Sequence, residues 1–214
     1  MTKKDRFLKT AAALEQLYPD ARCSLHAGNA FELLVAVRLS AQCTDARVNQ
    51  VTPALFAKYP TLEDYCNATV EDVAQLIYSC GFYKTKAENI IEMARMIRDD
   101  YHGQVPDTIE ALLTLPGVGR KTANLIVGDV YGKESVVVDT HMIRISNRIG
   151  LVATKDPKQI EFALKKVIPP AMGSDFCHRI VLFGRDICPA RSPKCQICPL
   201  AEGVCRRVGV QTKK

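Results

Sequence analysis

At 214 residues, 47% of them hydrophobic and 24% charged, the chain has the size and make-up of one large or two small globular domains with a sizeable core. No apolar run approaches a membrane span and residues 1–20 carry no signal-peptide pattern, so the expected compartment is the cytosol. The net charge of +6 is modest, yet from Arg185 onward seven basic residues (Arg185, Arg191, Lys194, Arg206, Arg207, Lys213 and Lys214) face only Asp186 and Glu202. That concentration fits an acidic polymer as partner, with a solvated basic tail as the bland alternative.

Helical periodicity dominates and strand-like alternation is nearly absent, which predicts an all-α protein. Residues 4–18 form an amphipathic helix carrying Phe7, Leu8, Ala11, Leu14 and Leu17, and a more apolar helix spans 29–41. Thr44 is placed as N-cap of a helix running to Lys58. Thr61 and Thr69 cap two short helices, each with an aspartate three residues on. Gly81 breaks the chain, 84–101 resumes the helix, and Gly103 ends it. Asp107 is expected to cap a short helix, and 120–131 reads as another. The extended apolar run Ser135-Val-Val-Val-Asp139 follows, then helices near 140–149, 157–168 and 174–186. The last thirty residues read as irregular and cysteine-bound.

Between two of these helices lies Leu115-Pro-Gly-Val-Gly-Arg-Lys-Thr-Ala-Asn124. Pro116 and Gly117 stop one helix, and Gly119 allows close approach before the next begins. The open N–H groups of a helix start, with Arg120 and Lys121 beside them, make an anion site, and phosphate is the usual anion. This is a helix-hairpin-helix, which grips a DNA backbone without reading bases. The plain alternative is a short connection.

Cys23, Cys43, Cys66, Cys80 and Cys177 are scattered among apolar neighbours and read as small buried hydrophobes. Cys188, Cys195, Cys198 and Cys205 cluster within eighteen residues, and in a reduced compartment that means a metal centre. A single C-x2-C flanked by longer loops favours a [4Fe–4S] cluster over zinc, with a disulfide pair behind both. Asp139, ending a buried apolar run at a helix start, reads as an N-cap and also as an ionised carboxylate held by the helix dipole. Lys121 is either a solvated phosphate contact or, in a dry cleft, a neutral amine nucleophile. Phe82 and Tyr83, after Gly81, either pack inward or wedge into a base stack.

These stretches, L-S-A-Q-x-T-D at 39–45, G-x-Y-x-x-K-A-x-N-I at 81–90, L-P-G-V-G-R-K-T-A at 115–123, V-D-T-H at 138–141 and the four-cysteine loop, closely resemble the endonuclease III family of helix-hairpin-helix DNA glycosylases. The resemblance covers nearly the whole chain. It implies two helical domains with a DNA-binding cleft between them. One is a six-helix barrel at about 22–133 with the hairpin at 108–127. The other is an iron–sulfur domain joining 1–21 to 134–214, with the cluster loop at 188–205. It further implies a bifunctional base-excision-repair enzyme that removes oxidised pyrimidines and cleaves the strand by β-elimination. Lys121 matches the family's Schiff-base nucleophile and Asp139 the assisting carboxylate. Gln42 and Phe82 match residues that fill the gap left by a flipped nucleotide, and Leu115, Gly117, Val118, Gly119, Arg120, His141, Arg191 and Lys194 match further DNA contacts. The [4Fe–4S] cluster on Cys188, Cys195, Cys198 and Cys205 is implied to be structural. The partner is double-stranded DNA with damaged bases or abasic sites, met by a monomer associated with the nucleoid in the cytoplasm. Two features depart from the pattern: the last cysteine spacing is one residue longer, and Phe82 stands where an aliphatic wedge is usual. An adenine-specific glycosylase and a non-catalytic iron–sulfur DNA sensor are the competing readings.

Overall fold

Side chains that reach back to the backbone set most of the helix starts. In the computed structural model, which describes residues 1–210, Thr2 caps α1 (Lys3–Leu17), Asn29 caps α2 (Ala30–Ser40) and Thr44 caps α3 (Asp45–Lys58). Thr61 and Thr69 cap α4 (Leu62–Asn67) and α5 (Val70–Leu76). The Thr61–Asp64 pair forms a reciprocal box in which each side chain accepts the other residue's N–H. After a 3-10 turn at Tyr78–Cys80 comes α6 (Tyr83–Asp100), then α7 (Ile109–Leu112) and α8 (Arg120–Asp129). Thr108, not Asp107, caps α7: its extended backbone (φ −120°, ψ 149°) lets Oγ1 accept the Ala111 N–H. Then follow α9 (Thr140–Ile149), α10 (Pro157–Lys165), a 3-10 turn at Pro170–Met172 and α11 (Gly173–Asp186). Among the described residues every regular element is helical. Lys213 and Lys214 lie outside the described residues.

The chain divides into two compact units. The first is continuous, Cys23–Tyr131, and is built around α6, against which α2, α4 and α5 pack. The stripe Ala87, Ile90, Ile91, Met93, Ala94 and Ile97 puts an apolar face of α6 into that core at helical spacing. Helix α8 packs on α2 and α7, with Ala123, Leu125, Ile126 and Val127 buried.

The second unit joins Met1–Arg22 to the chain from Gly132 onward. Helix α1 packs along α11, where Phe7 and Phe176 meet edge-to-face at 5.0 Å. Arg179 on α11 donates to the Tyr18 carbonyl at the end of α1. Helix α9 packs on the other part of α11, and residues 188–210 wrap the C-terminal end of α9 as irregular chain.

Candidate functional site

In the first unit, the hairpin turn is closed by the Val118 N–H donating to the Leu115 carbonyl at 3.1 Å. Pro116 supplies the fixed φ of the first central position and Gly117, at φ 73°, the positive φ of the second. Leu115 and Val118 are only 2% and 9% exposed, so their side chains anchor the turn in the core instead of facing a ligand. Their share in any DNA contact is thereby reduced to backbone. Gly117, Gly119 and Lys121 face outward and Arg120 is half-buried. The two glycines serve different needs. A Cβ at Gly117 would come within 2.5 Å of Arg38 Nε and 2.9 Å of Asn89 Oδ1, whereas at Gly119 it would meet nothing within 4 Å. Gly119 caps α8 with no side-chain oxygen over the first turn. An uncapped helix start with an exposed lysine at its second residue is suited to an anion.

Two further turns of this unit present side chains in an unusual way. Gln42 (φ 55°) and Phe82 (φ 47°) both hold left-handed backbone without being glycine, and both are exposed. For a residue as bulky as Phe this conformation is strained by about 1–3 kcal/mol. Phe82 leaves 68% of its surface in solvent, with the Tyr78 and Tyr83 rings paired at 4.8 Å nearby. Behind the turns sits Lys86, 1% exposed, whose Nζ donates to the Leu39 carbonyl at 2.8 Å and the Cys80 carbonyl at 2.5 Å. Burial lowers the pKa of its ammonium, and burial together with neighbouring Cys43 pushes the Cys80 thiol up to about 11.

In the second unit, Val136 and Val137 are buried in extended chain and lead to Asp139, the N-cap of α9. Asp139 Oδ1 accepts the Met142 N–H at 2.8 Å, which leaves Oδ2 of this half-buried carboxylate uncommitted among the described residues. His141 sits over Gly184, where a Cβ would lie 2.3 Å from its Nδ1. Arg144 Nη2 lies 3.0 Å from the same nitrogen. Because a guanidinium only donates, Nδ1 accepts and the ring proton is on Nε2.

The same unit brings Cys188, Cys195, Cys198 and Cys205 to the lining of one pocket, together with apolar groups such as Ile149, Phe183, Ile187 and Leu200 and the arginines Arg148 and Arg207. All four are free thiols. Arg148 donates to Cys188 Sγ at 3.3 Å and to the Pro189 and Ala190 carbonyls at 2.7 and 2.8 Å. The Arg207 N–H donates to Cys205 Sγ at 3.3 Å. Donors aimed at sulfur are what coordinated thiolates require. Among the described residues no three His, Cys, Asp or Glu side chains sit close enough to share one metal ion. Ahead of Cys205 the chain turns at Gly203 (φ 71°), and the Cys205 N–H donates to the Leu200 carbonyl at 2.7 Å. Arg191 and Lys194 project from the loop, Lys194 lying 3.5 Å from Asp186.

Residues 35–170 match the profile of the HhH-GPD superfamily of base excision DNA repair proteins. The chain is 46% identical to endonuclease III of Bacillus subtilis (strain 168) over 92% of its own length and 90% of that protein. With endonuclease III of Synechocystis sp. it shares 45% identity over 94% and 92%. A solved structure of a trapped endonuclease III–DNA covalent intermediate superposes with a TM-score of 0.89 at 44% identity, covering 97% of both chains. The chain belongs to the endonuclease III family. Within that frame the sequence reading assigned no role to Lys86, although it stands in the 81–90 motif, or to Arg148, two buried cations that hold loop carbonyls. The signal for Lys86 was its place in the apolar register of Ile90, Met93 and Ile97, where a solvated lysine has no business.

Proposed function

We propose that Lys121 is the nucleophile of a base-excision DNA glycosylase with associated lyase activity, acting on oxidised pyrimidines in duplex DNA. The observation that carries this reading is the hairpin itself: an exposed lysine at the second residue of a helix whose N-terminus lacks a side-chain cap. A phosphate on the open N–H groups of α8 fixes the sugar near Lys121 Nζ. Bound DNA removes water from the amine, which favours its neutral, nucleophilic form. Nζ attacks C1′ of the flipped nucleotide, the C1′–N bond breaks, and the base departs with the electron pair and takes a proton. The sugar ring then opens as the C1′–O4′ bond breaks and O4′ takes a proton; the resulting protonated imine acidifies C2′, and loss of a C2′ proton expels the 3′-phosphate. Asp139, with one oxygen committed to its cap and the other open, stabilises positive charge at the sugar or takes a proton from the lysine. Gln42 and Phe82, held outward on strained turns, fill the vacated stack, and a poorly stacked lesion flips most readily.

Cys188, Cys195, Cys198 and Cys205 would hold a [4Fe–4S] cluster. Bound there, it supplies no step of the reaction and fixes the loop that carries Arg191 and Lys194 to phosphates. The partner is double-stranded DNA with a damaged base or abasic site, met on the nucleoid by a monomer of two domains, a helical barrel and a cluster domain. No helix among the described residues is long and apolar enough to cross a membrane. Borohydride trapping tests the assignment. The wild-type chain should form a stable adduct with duplexes carrying an oxidised pyrimidine or an abasic site, and Lys121→Ala should form none while still binding both. Trapping undiminished in Lys121→Ala would remove the nucleophile from this position.

A further inference from the structure

A lysine 1% exposed and bonded only to backbone carbonyls is an expensive residue to keep. Among the described residues no carboxylate pairs with it, so charge neutralisation does not explain its place. What it touches does. Leu39 precedes Gln42 by three residues and Cys80 precedes Phe82 by two, and each of those side chains stands on a left-handed, non-glycine backbone. Lys86 lies on the first turn of α6, so one rigid helix holds both carbonyls on a single Nζ. One turn further along the same helix, Asn89 Oδ1 accepts from Arg38 Nε and Nη2 at 3.1 and 2.7 Å. That pair fills the space a Cβ at Gly117 would need. Lys86 and Asn89 thus stand behind three turns of this unit, 39–43, 80–82 and 115–119, the last through Arg38.

We infer that Lys86 is a positioning residue for nucleotide flipping: by clamping the Leu39 and Cys80 carbonyls it fixes the spacing between Gln42 and Phe82 and keeps both in the strained conformation that enters the base stack. Lys86 meets no DNA and takes no proton from substrate. The strain at Phe82 persists only where the surroundings over-determine it, and the clamp is that determinant. Asn89 performs the parallel task for the phosphate-binding hairpin through Arg38. The inference rests on the reading of the 42 and 82 turns as DNA-facing.

The test compares a substrate that must be flipped with one that need not be. Lys86→Met keeps the aliphatic packing and removes the donors. Single-turnover excision of an oxidised pyrimidine from a duplex should fall on the order of 10- to 100-fold, the scale expected when a reacting group is misplaced by about an ångström. β-Elimination on a single-stranded abasic oligonucleotide should stay within about 2-fold, because nothing has to be flipped there. In parallel, a 2-aminopurine placed next to the lesion should lose its fast fluorescence rise. Equal losses on the two substrates would make Lys86 a general stabilising residue and overturn the inference. Phe82→Ala and Gln42→Ala separate the two levels. If they impair duplex excision and Lys86→Met does not, the clamp is refuted while the turns keep their role. If none of the three variants affects duplex excision, the reading of the turns falls and the clamp with it.

Discussion

Asp139 caps α9, and substitutions can separate that cap from the catalytic role proposed for its carboxylate. Asparagine caps a helix about as well as aspartate, so Asp139→Asn should leave the melting temperature nearly unchanged. Loss of the carboxylate charge should lower single-turnover excision by roughly 100-fold, the usual scale for a positioned acid–base or electrostatic group. Asp139→Ala should add a stability loss of about 1 kcal/mol in denaturant titration because the Met142 N–H loses its acceptor. If Asn were as active as the parent chain, the residue would be a cap and nothing more. Tyr18 gives a pH-dependent prediction. Burial, then its hydroxyl bond to Asp186, raises its phenol from 10.0 to about 12. Between those values the folded chain keeps a proton that the unfolded chain has released, so folding loses stability as pH climbs from 10 toward 12. Tyr18→Phe should flatten that decline when unfolding is followed across the interval.

At the scale of elements, the hairpin glycines predict opposite phenotypes. Gly117→Ala forces a side chain onto φ 73° and into Arg38 and Asn89, and should lower stability by about 1–3 kcal/mol. Gly119→Ala meets no neighbour at φ −100°, so thermal melting should barely move, but its methyl projects where a phosphate would approach and duplex affinity should drop. Calorimetry with a DNA-binding titration on both variants would separate the two effects. Helix starts at Thr44, Thr61 and Thr69 were legible because capping is local: a hydroxyl and an N–H three residues away decide it. The choice of Thr108 over Asp107 was not, since both are good caps and only the chain's path toward α7 selects one. The hairpin turn and the grouping of four cysteines were legible from residue type and spacing, whereas the role of Lys121 was implied only by the family resemblance. Lys86 did not, because lysine signals surface and its burial follows from where Leu39 and Cys80 end up, 47 and 6 residues away. The inward turn of Leu115 and Val118 was hidden for a similar reason: a motif marks a turn without saying which of its side chains face the core.

For the molecule as a whole, grip on DNA through helix N–H groups and basic side chains predicts a steep salt dependence, with the logarithm of affinity falling linearly with that of salt concentration. Removing iron should act unevenly. Residues 188–210 should gain hydrogen exchange strongly, since Arg144, Arg148 and a few backbone bonds are the other ties to α9. The Cys23–Tyr131 unit should keep its protection. Uniform loss across both units would show that the cluster supports the entire fold. The split placement of the second unit also bears on how the chain comes into being. Arg6 on α1 donates to the Val204 carbonyl, 198 residues later. At roughly 5–20 residues per second, a ribosome needs on the order of 10–40 s between making those two residues. For that time the apolar stripe of α1 has no permanent cover, while the continuous unit from Cys23 to Tyr131 can already close. The nascent chain can therefore close its hairpin, with Lys121 in place, before the packing of α1 is complete and before the four-cysteine loop has been made.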